Sequence, residues 1–152
     1  MAKVLHTVGL GSRSLGTILE LLAVSRAKRV VDIRRYPTSA RRPHLDAPAL
    51  HAALRDAGYE VIAMGDLLGG DRKGGFERYM ETGAFRRGLA RLEAAADEVP
   101  TALLCAEQEP DRCHRRFVCA ALEARGWRMA HHLHAPSERT ARGHMRLVRR
   151  TG

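Results

Sequence analysis

Short apolar runs alternate along this chain with stretches in which apolar residues recur every three or four positions. Positions 4–9 form the first run and predict a strand. Leu15, Ile18, Leu19 and Leu22 then fall at helical spacing, predicting a helix over 15–24 with Ser14 as its cap. A short strand follows at 30–33. A helix over 48–57 has Pro48 near its first position and Gly58 just past its end. A third strand is expected at 59–64, a glycine-rich loop at 65–75 and a short helix at 76–80. The helix over 85–98 carries Leu89 and Leu92 on one side and is stopped by Pro100. A fourth strand at 102–105, a helix over 112–125 ended by Gly126 and a fifth strand at 127–133 complete the pattern.

Strands alternating with helices predict an α/β fold: a three-layer sandwich around a mostly parallel five-stranded sheet, with right-handed crossovers and Rossmann-like topology. The 152 residues suit one domain, placed at 1–134. Residues 135–152 differ, with five arginines and one glutamate, and are expected to be a basic C-terminal tail or a terminal helix.

Composition narrows the function classes. Aromatic residues are only 5% of the chain, too few for a single-strand nucleic-acid binder built on stacking platforms. No run of about 18 apolar residues occurs, so no membrane span is expected. Positions 1–10 carry no signal-peptide pattern, and the three cysteines have no disulfide spacing; the expectation is a cytoplasmic protein. Net charge is +9, compatible with a nucleic-acid partner. With lysine only at 3, 28 and 73, however, 23 of the 26 basic residues are arginine, a skew that GC-rich coding also produces. The location of the arginines therefore says more than their number.

Ligands of open α/β sheets bind outside the carboxyl ends of the strands. Here those ends lead into Gly9-Leu10-Gly11-Ser12-Arg13, Arg34-Arg35-Tyr36, Gly69-Gly70-Asp71-Arg72 and the segment after Cys105. Glycines let a backbone approach a ligand, and arginines are forked donors for phosphate or carboxylate. The four loops predict an anion-binding cleft with Arg13, Arg34, Arg72 and Arg115 as its donors. A dinucleotide fingerprint is absent: Gly9-Leu10-Gly11 is followed by Gly16, not by a glycine at the required place. Gly69-Gly70-Asp71-Arg72-Lys73 lacks the ending of a Walker loop.

Residues 102–122 carry the densest chemistry. Cys105 ends the fourth strand, acidic residues follow, and Cys113-His114-Arg115 opens the next helix. With Asp111 as cap, Cys113 is the second helical residue, where free N–H groups and the helix dipole favour a thiolate. The same position aligns with Phe117 and Ala121 on an apolar stripe, which equally suits a buried structural thiol. Cys105 is either a resolving thiol for Cys113 or filler under the loop, and Cys119 is expected to be packing. Glu107 is the candidate general base and His114 a further catalytic candidate. Asp32 interrupts an apolar strand and needs a partner, with Arg34 or Arg13 at hand. The spacing of Cys105 and Cys113 fits no zinc pattern, so no metal site is expected, and the sequence leaves any cofactor open. His131, His132 and His134 alternate in direction and are not a ready ligand set.

These motifs resemble the domain of unknown function 488 family over about residues 5–133. The markers are Thr7-Val8-Gly9 with Ser12-Arg13-Ser14, Val31-Asp32-Ile33-Arg34 with Pro37-Thr38-Ser39, and Leu68-Gly69-Gly70 with Arg72. Tyr79-Met80, Leu104-Cys105-Ala106-Glu107 and Cys113-His114-Arg115 complete them. The chain departs from the family pattern at Leu10 and Ala40, where polar and basic residues are usual. The resemblance implies an α/β sandwich with Arg13, Asp32, Arg34, Cys105, Glu107, Cys113, His114 and Arg115 in one site. It implies no particular reaction.

The leading expectation is an enzyme acting on an anionic small molecule or nucleotide-like ligand. Arg13, Arg34 and Arg72 would hold the anion, and Cys113 or Glu107 would do the chemistry. The alternatives are a non-enzymatic nucleic-acid binder using the basic surface and tail, and a ligand-sensing module using the same cleft without turnover. The sequence leaves oligomeric state open.

Overall fold

The structure, a computed structural model, describes residues 3–36, 39, 41–109 and 113–141. Five strands form one sheet in the order β3-β2-β4-β1-β5: β1 (Lys3–Gly9), β2 (Arg29–Asp32), β3 (Glu60–Ala63), β4 (Thr101–Cys105) and β5 (Trp127–His132). All four pairings are parallel. Helices α1 (Leu15–Ser25) and α2 (Ala47–Asp56) connect the first three strands. Helices α3 (Gly65–Leu68), α4 (Phe76–Tyr79) and α5 (Gly83–Glu98) lead to β4, and α6 (Arg115–Ala124) leads to β5. A last short helix, α7 (Pro136–Ala141), packs on α1.

The order has a handedness consequence. The connections β1→β2→β3 run one way across the sheet, and β3→β4→β5 run back. With one hand for every crossover, the two sets must lie on opposite faces. Ile18, Leu21 and Leu22 of α1 and Leu50 and Leu54 of α2 pack with Val8, Val30 and Leu104. Leu89 and Leu92 of α5 and Val118 and Leu122 of α6 pack with Leu5, Val31, Leu103 and Cys105. The alternation of a strand splits β4 between the two cores, and every one of its residues is buried.

Local signals set the helix ends. Ser14 Oγ accepts from the Thr17 N–H at 3.2 Å and opens α1. Thr82 Oγ1 does the same for Phe85 and opens α5, two residues before the predicted start. Two elements were not predicted: the 3₁₀ turn Pro43–Leu45, and α3 inside the expected glycine loop. At α3, a Cβ on Gly65 would overlap the Arg34 carbonyl oxygen, and one on Gly69 would lie 2.5 Å from Arg35 Cα. These glycines therefore serve close backbone packing of α3 on the end of β2 rather than a flexible loop.

Helix α6 starts at Arg115, not at 112, so Cys113 and His114 precede its first turn. Asp111 as a cap, Pro37, Thr38, Ala40 and the tail from 142 onward lie outside the described residues.

Candidate functional site

At the carboxyl edge of the sheet, β4 lies between two strands, β1 and β2, whose connections leave for the opposite face. The connections part there, which is where an α/β sheet opens a crevice. Two adjoining clefts occupy it. One, of about 440 Å³, lies between Gly11-Ser12, Ser39, Arg42 and Glu107. The other, of about 270 Å³, lies between Arg35, Gly70-Asp71, Glu107 and Cys113-His114. Arg34, Tyr36, Ala106 and Glu107 line both. The Tyr36 ring is 62% exposed between them.

One thiol, Cys113, lines the smaller cleft. Cys105 is wholly buried at the end of β4, and Cys113 is 4% exposed. Cys113 Sγ accepts the Arg115 backbone N–H at 3.5 Å, one of the donors at the α6 N-terminus. His114 Nδ1 is 3.8 Å away. The Cys105 thiol lowers the Cys113 pKa most; burial opposes it, and His114 and the Arg115 N–H add to it, bringing the value to about 4. Burial first, and then Cys113, push Cys105 well above the ordinary thiol range. Burial raises Cys119, in mid-helix, to about 12. Among the three free cysteines, all buried, the pKa is thus lowered at Cys113 alone.

Cys113 belongs to the apolar cluster under α6 and also lines the cleft. The helix starts later than expected, but its free N–H still reaches the sulfur.

The arginines are arranged differently from expectation. Arg34 is pinned under the cleft wall: its Nε and Nη2 donate to Asp32 at 3.0 and 2.8 Å, and its Nη1 donates to the Leu45 carbonyl. His51 of α2 donates its Nε2 proton to the same carboxylate at 2.8 Å. An ionised Asp32 accepts only, so this ring carries its proton on Nε2. Burial would raise the Asp32 pKa, but Arg34 and His51 outweigh it and hold it below the ordinary carboxylate value. Arg13, 6% exposed, donates to the carbonyls of Gly9 and Leu133 and pairs with Glu138 of α7. Arg72 donates to the carbonyls of Gly69, Gly65 and Asp66 and lies over the Tyr79 ring at 3.9 Å. Arg115 is fully buried, donating to Thr7 Oγ1 and to the Gln108 carbonyl. Of the four expected anion donors, only Arg34 lines the clefts, and its fork is already filled.

The sequence reading omitted Arg35, which lines the same cleft as Cys113. Its Nη1 is buried with no hydrogen-bond partner among the described residues, and the same holds for His114 Nε2. Strand parity was the available signal. Val31 and Ile33 face the core that contains Cys105 and Cys113. Two residues on, Arg35 continues that parity, whereas Arg34 follows Asp32 toward the other side. His51 carried no comparable signal, because its pairing with Asp32 spans two elements.

The loop at 106–108 is set by backbone contacts. Leu10 and Gly11 N–H groups donate to the carbonyls of Cys105 and Ala106, each at 2.8 Å. A Cβ at Gly9 would overlap the Glu107 carbonyl and lie 2.6 Å from Gln108 Cα. Leu10 is buried in the core under α1. Glu107 itself is exposed on the rim. No three metal-ligating side chains converge among the described residues. Nor is any helix of theirs long and apolar enough to cross a membrane.

The family model described as "Domain of unknown function DUF488" matches residues 14–122 of the 152. The chain belongs to the DUF488 family. The DUF488 match takes in β2, β3, β4 and most of α6, and with them Asp32, Arg35, Cys105, Glu107 and Cys113-His114-Arg115. The Thr7-Val8-Gly9 and Ser12-Arg13 markers precede it. No curated protein and no solved structure matches the chain.

Proposed function

We propose that this DUF488 protein is a thiol-dependent enzyme acting on a small phosphate- or carboxylate-bearing substrate. One observation carries the reading. A thiol held as thiolate at neutral pH lines a cleft that is also lined by Arg35, whose buried Nη1 has no hydrogen-bond partner among the described residues. A buried donor without a partner costs about 1–3 kcal/mol, and an anionic group in the cleft relieves it. Cys113 is then the nucleophile, Arg35 positions the anion, His114 donates its Nδ1 proton to the thiolate, and Glu107 on the rim is the group available to move a proton. Arg34 positions the wall rather than binding. A cytoplasmic setting is part of the proposal, because a reducing compartment keeps the thiol pair reduced.

The reading is favoured over a nucleic-acid binder by where the guanidinium groups point. Arg13, Arg29, Arg34, Arg72 and Arg115 engage carbonyls, carboxylates or a hydroxyl within the fold. The +9 charge therefore overstates the donors free to face a polyanion.

Alkylation of Cys113 tests it. With iodoacetamide, the rate is expected to be flat from neutral to mildly acidic pH and to fall only as pH drops through about 4. Iodoacetate, which carries the anion, should gain from Arg35. Arg35→Ala is expected to slow iodoacetate about tenfold, equivalent to ~1.4 kcal/mol, and to leave iodoacetamide unchanged. A Cys113 that alkylates only above pH 8, or an Arg35→Ala variant that slows both reagents equally, refutes the proposal.

A further inference from the structure

One aromatic side chain stands apart from the others. The chain has three phenylalanines, three tyrosines and one tryptophan. Phe76, Tyr79 and Phe85 pack ring against ring, and Phe117 stacks on Phe76 at 5.7 Å. Trp127 is buried, and Tyr59 packs on the core under α1 and α2. Tyr36 alone is exposed, and it belongs to neither core cluster. A lone apolar residue on an open surface needs no explanation. Tyr36 is placed differently, because it lines both clefts at the carboxyl edge of the sheet.

We propose that Tyr36 is a stacking platform and that the ligand of the site is a nucleoside phosphate, with its base on Tyr36 in the larger cleft and its phosphate at Arg35 in the smaller. This deepens the function proposed above and rests on Arg35 holding the anion.

Cleft size assigns the two ends. The smaller cleft, of about 270 Å³, falls below the ~300–1,000 Å³ of ordinary small-molecule sites and suits a compact group. The larger, of about 440 Å³, lies within that range and has room for a flat ring. Arg35 joins the two. Its guanidinium lies over the Tyr36 ring at 5.5 Å, and it lines the smaller cleft but not the larger. The cation that meets the phosphate therefore also covers the ring from the smaller cleft, and the larger cleft is where a base meets it. Buried Nη1, with no partner among the described residues, is the donor for the phosphate. Ser12, Ser39 and Arg42 line the larger cleft and supply hydroxyl and guanidinium groups that suit sugar hydroxyls and ring heteroatoms. The number of platforms sets the size of the ligand. Single-strand binders stack successive bases on several aromatic rings, whereas one ring in a cleft matches one base. Stacking tolerates any base, so AMP serves as the probe.

The test titrates the full-length reduced protein calorimetrically with AMP, ribose 5-phosphate and adenosine. AMP is expected to bind about tenfold more tightly than ribose 5-phosphate, the effect of one stacked base. Tyr36→Leu should bring AMP down to the ribose 5-phosphate level and leave ribose 5-phosphate unchanged. Tyr36→Trp should keep the preference for AMP. At 62% exposure, neither substitution disturbs the core. Arg35→Ala should weaken AMP and ribose 5-phosphate together and spare adenosine. Equal wild-type affinity for AMP and ribose 5-phosphate, or equal weakening of both by Tyr36→Leu, overturns the platform and leaves the anion site standing. Adenosine binding as tightly as AMP, with no effect of Arg35→Ala, overturns the phosphate and with it the function proposed above. Failure of all three probes to bind overturns both. Tighter binding of a single-stranded oligoadenylate than of AMP overturns the single-nucleotide assignment.

Discussion

The most constrained side chain at the candidate site is a carboxylate rather than a thiol. Asp32 is 2% exposed and receives Arg34 twice, the Arg34 backbone N–H and His51. Asp32→Asn leaves a buried guanidinium without its counter-ion, a change that costs about 3–5 kcal/mol. Denaturant unfolding should show that loss at neutral pH. The wild-type contribution also has a sign in pH. The folded pKa lies below the unfolded one, so the stabilisation is complete above the unfolded value near pH 4. It drains away as pH falls through the lowered folded value. The wild type and Asp32→Asn should therefore converge in stability under acid. At this scale the sequence was half legible. That Asp32 needed a partner, and that Arg34 was a candidate, followed from a charge within an apolar strand. That His51 completes the group did not, because nothing local links a histidine on α2 to the end of β2.

At the scale of elements, the site depends on how closely backbones approach. The loop after β1 touches the loop after β4 at Gly9, where a side chain would collide with Glu107 and Gln108. Gly9→Ala must displace that loop, because the obstacle is backbone, and overpacking of this kind costs about 1–3 kcal/mol. It is expected to lower the melting temperature and also to disturb Cys113 alkylation, since Gln108 is tethered to Arg115. A purely structural glycine would show only the first effect. Capping was legible here. Ser14 stands one residue before an apolar period and caps α1 as read. The start of α6 was misplaced by three residues, because Cys113-His114 fits a helical pattern equally well and only the backbone angles decide where the turn begins.

At the scale of the molecule, one contact joins the first loop to the last helix. Glu138 of α7 pairs with Arg13 Nε at 3.1 Å and accepts the Ala135 N–H at 2.8 Å. Burial would raise the Glu138 pKa, but Arg13 and the Ala135 N–H outweigh it and lower it. Glu138→Ala strips the nearly buried Arg13 of its charged partner and should cost about 1–3 kcal/mol, read as a shift in the unfolding midpoint. The difference from wild type should shrink as pH falls through the lowered Glu138 value. If the C-terminal segment were an independent tail, this substitution would leave the unfolding of the sheet unchanged.

The sequence by itself determined the elements and the fold class. Periodicity, caps and glycine stops are local, and the alternation of strand and helix follows from them. It also brought the candidate residues to the strand ends, because parallel strands bring their carboxyl ends to one edge. Only the tertiary structure decided the strand order, which places β4 between β1 and β2 and puts Cys105 and Cys113 in one core cluster. Only it decided which arginines are engaged within the fold: Arg34 by Asp32, Arg13 by Glu138 and Arg115, through Nη2, by Gln108, with Arg35 lining the cleft. A guanidinium reaches partners many residues away, so its role depends on what the fold brings within hydrogen-bond distance.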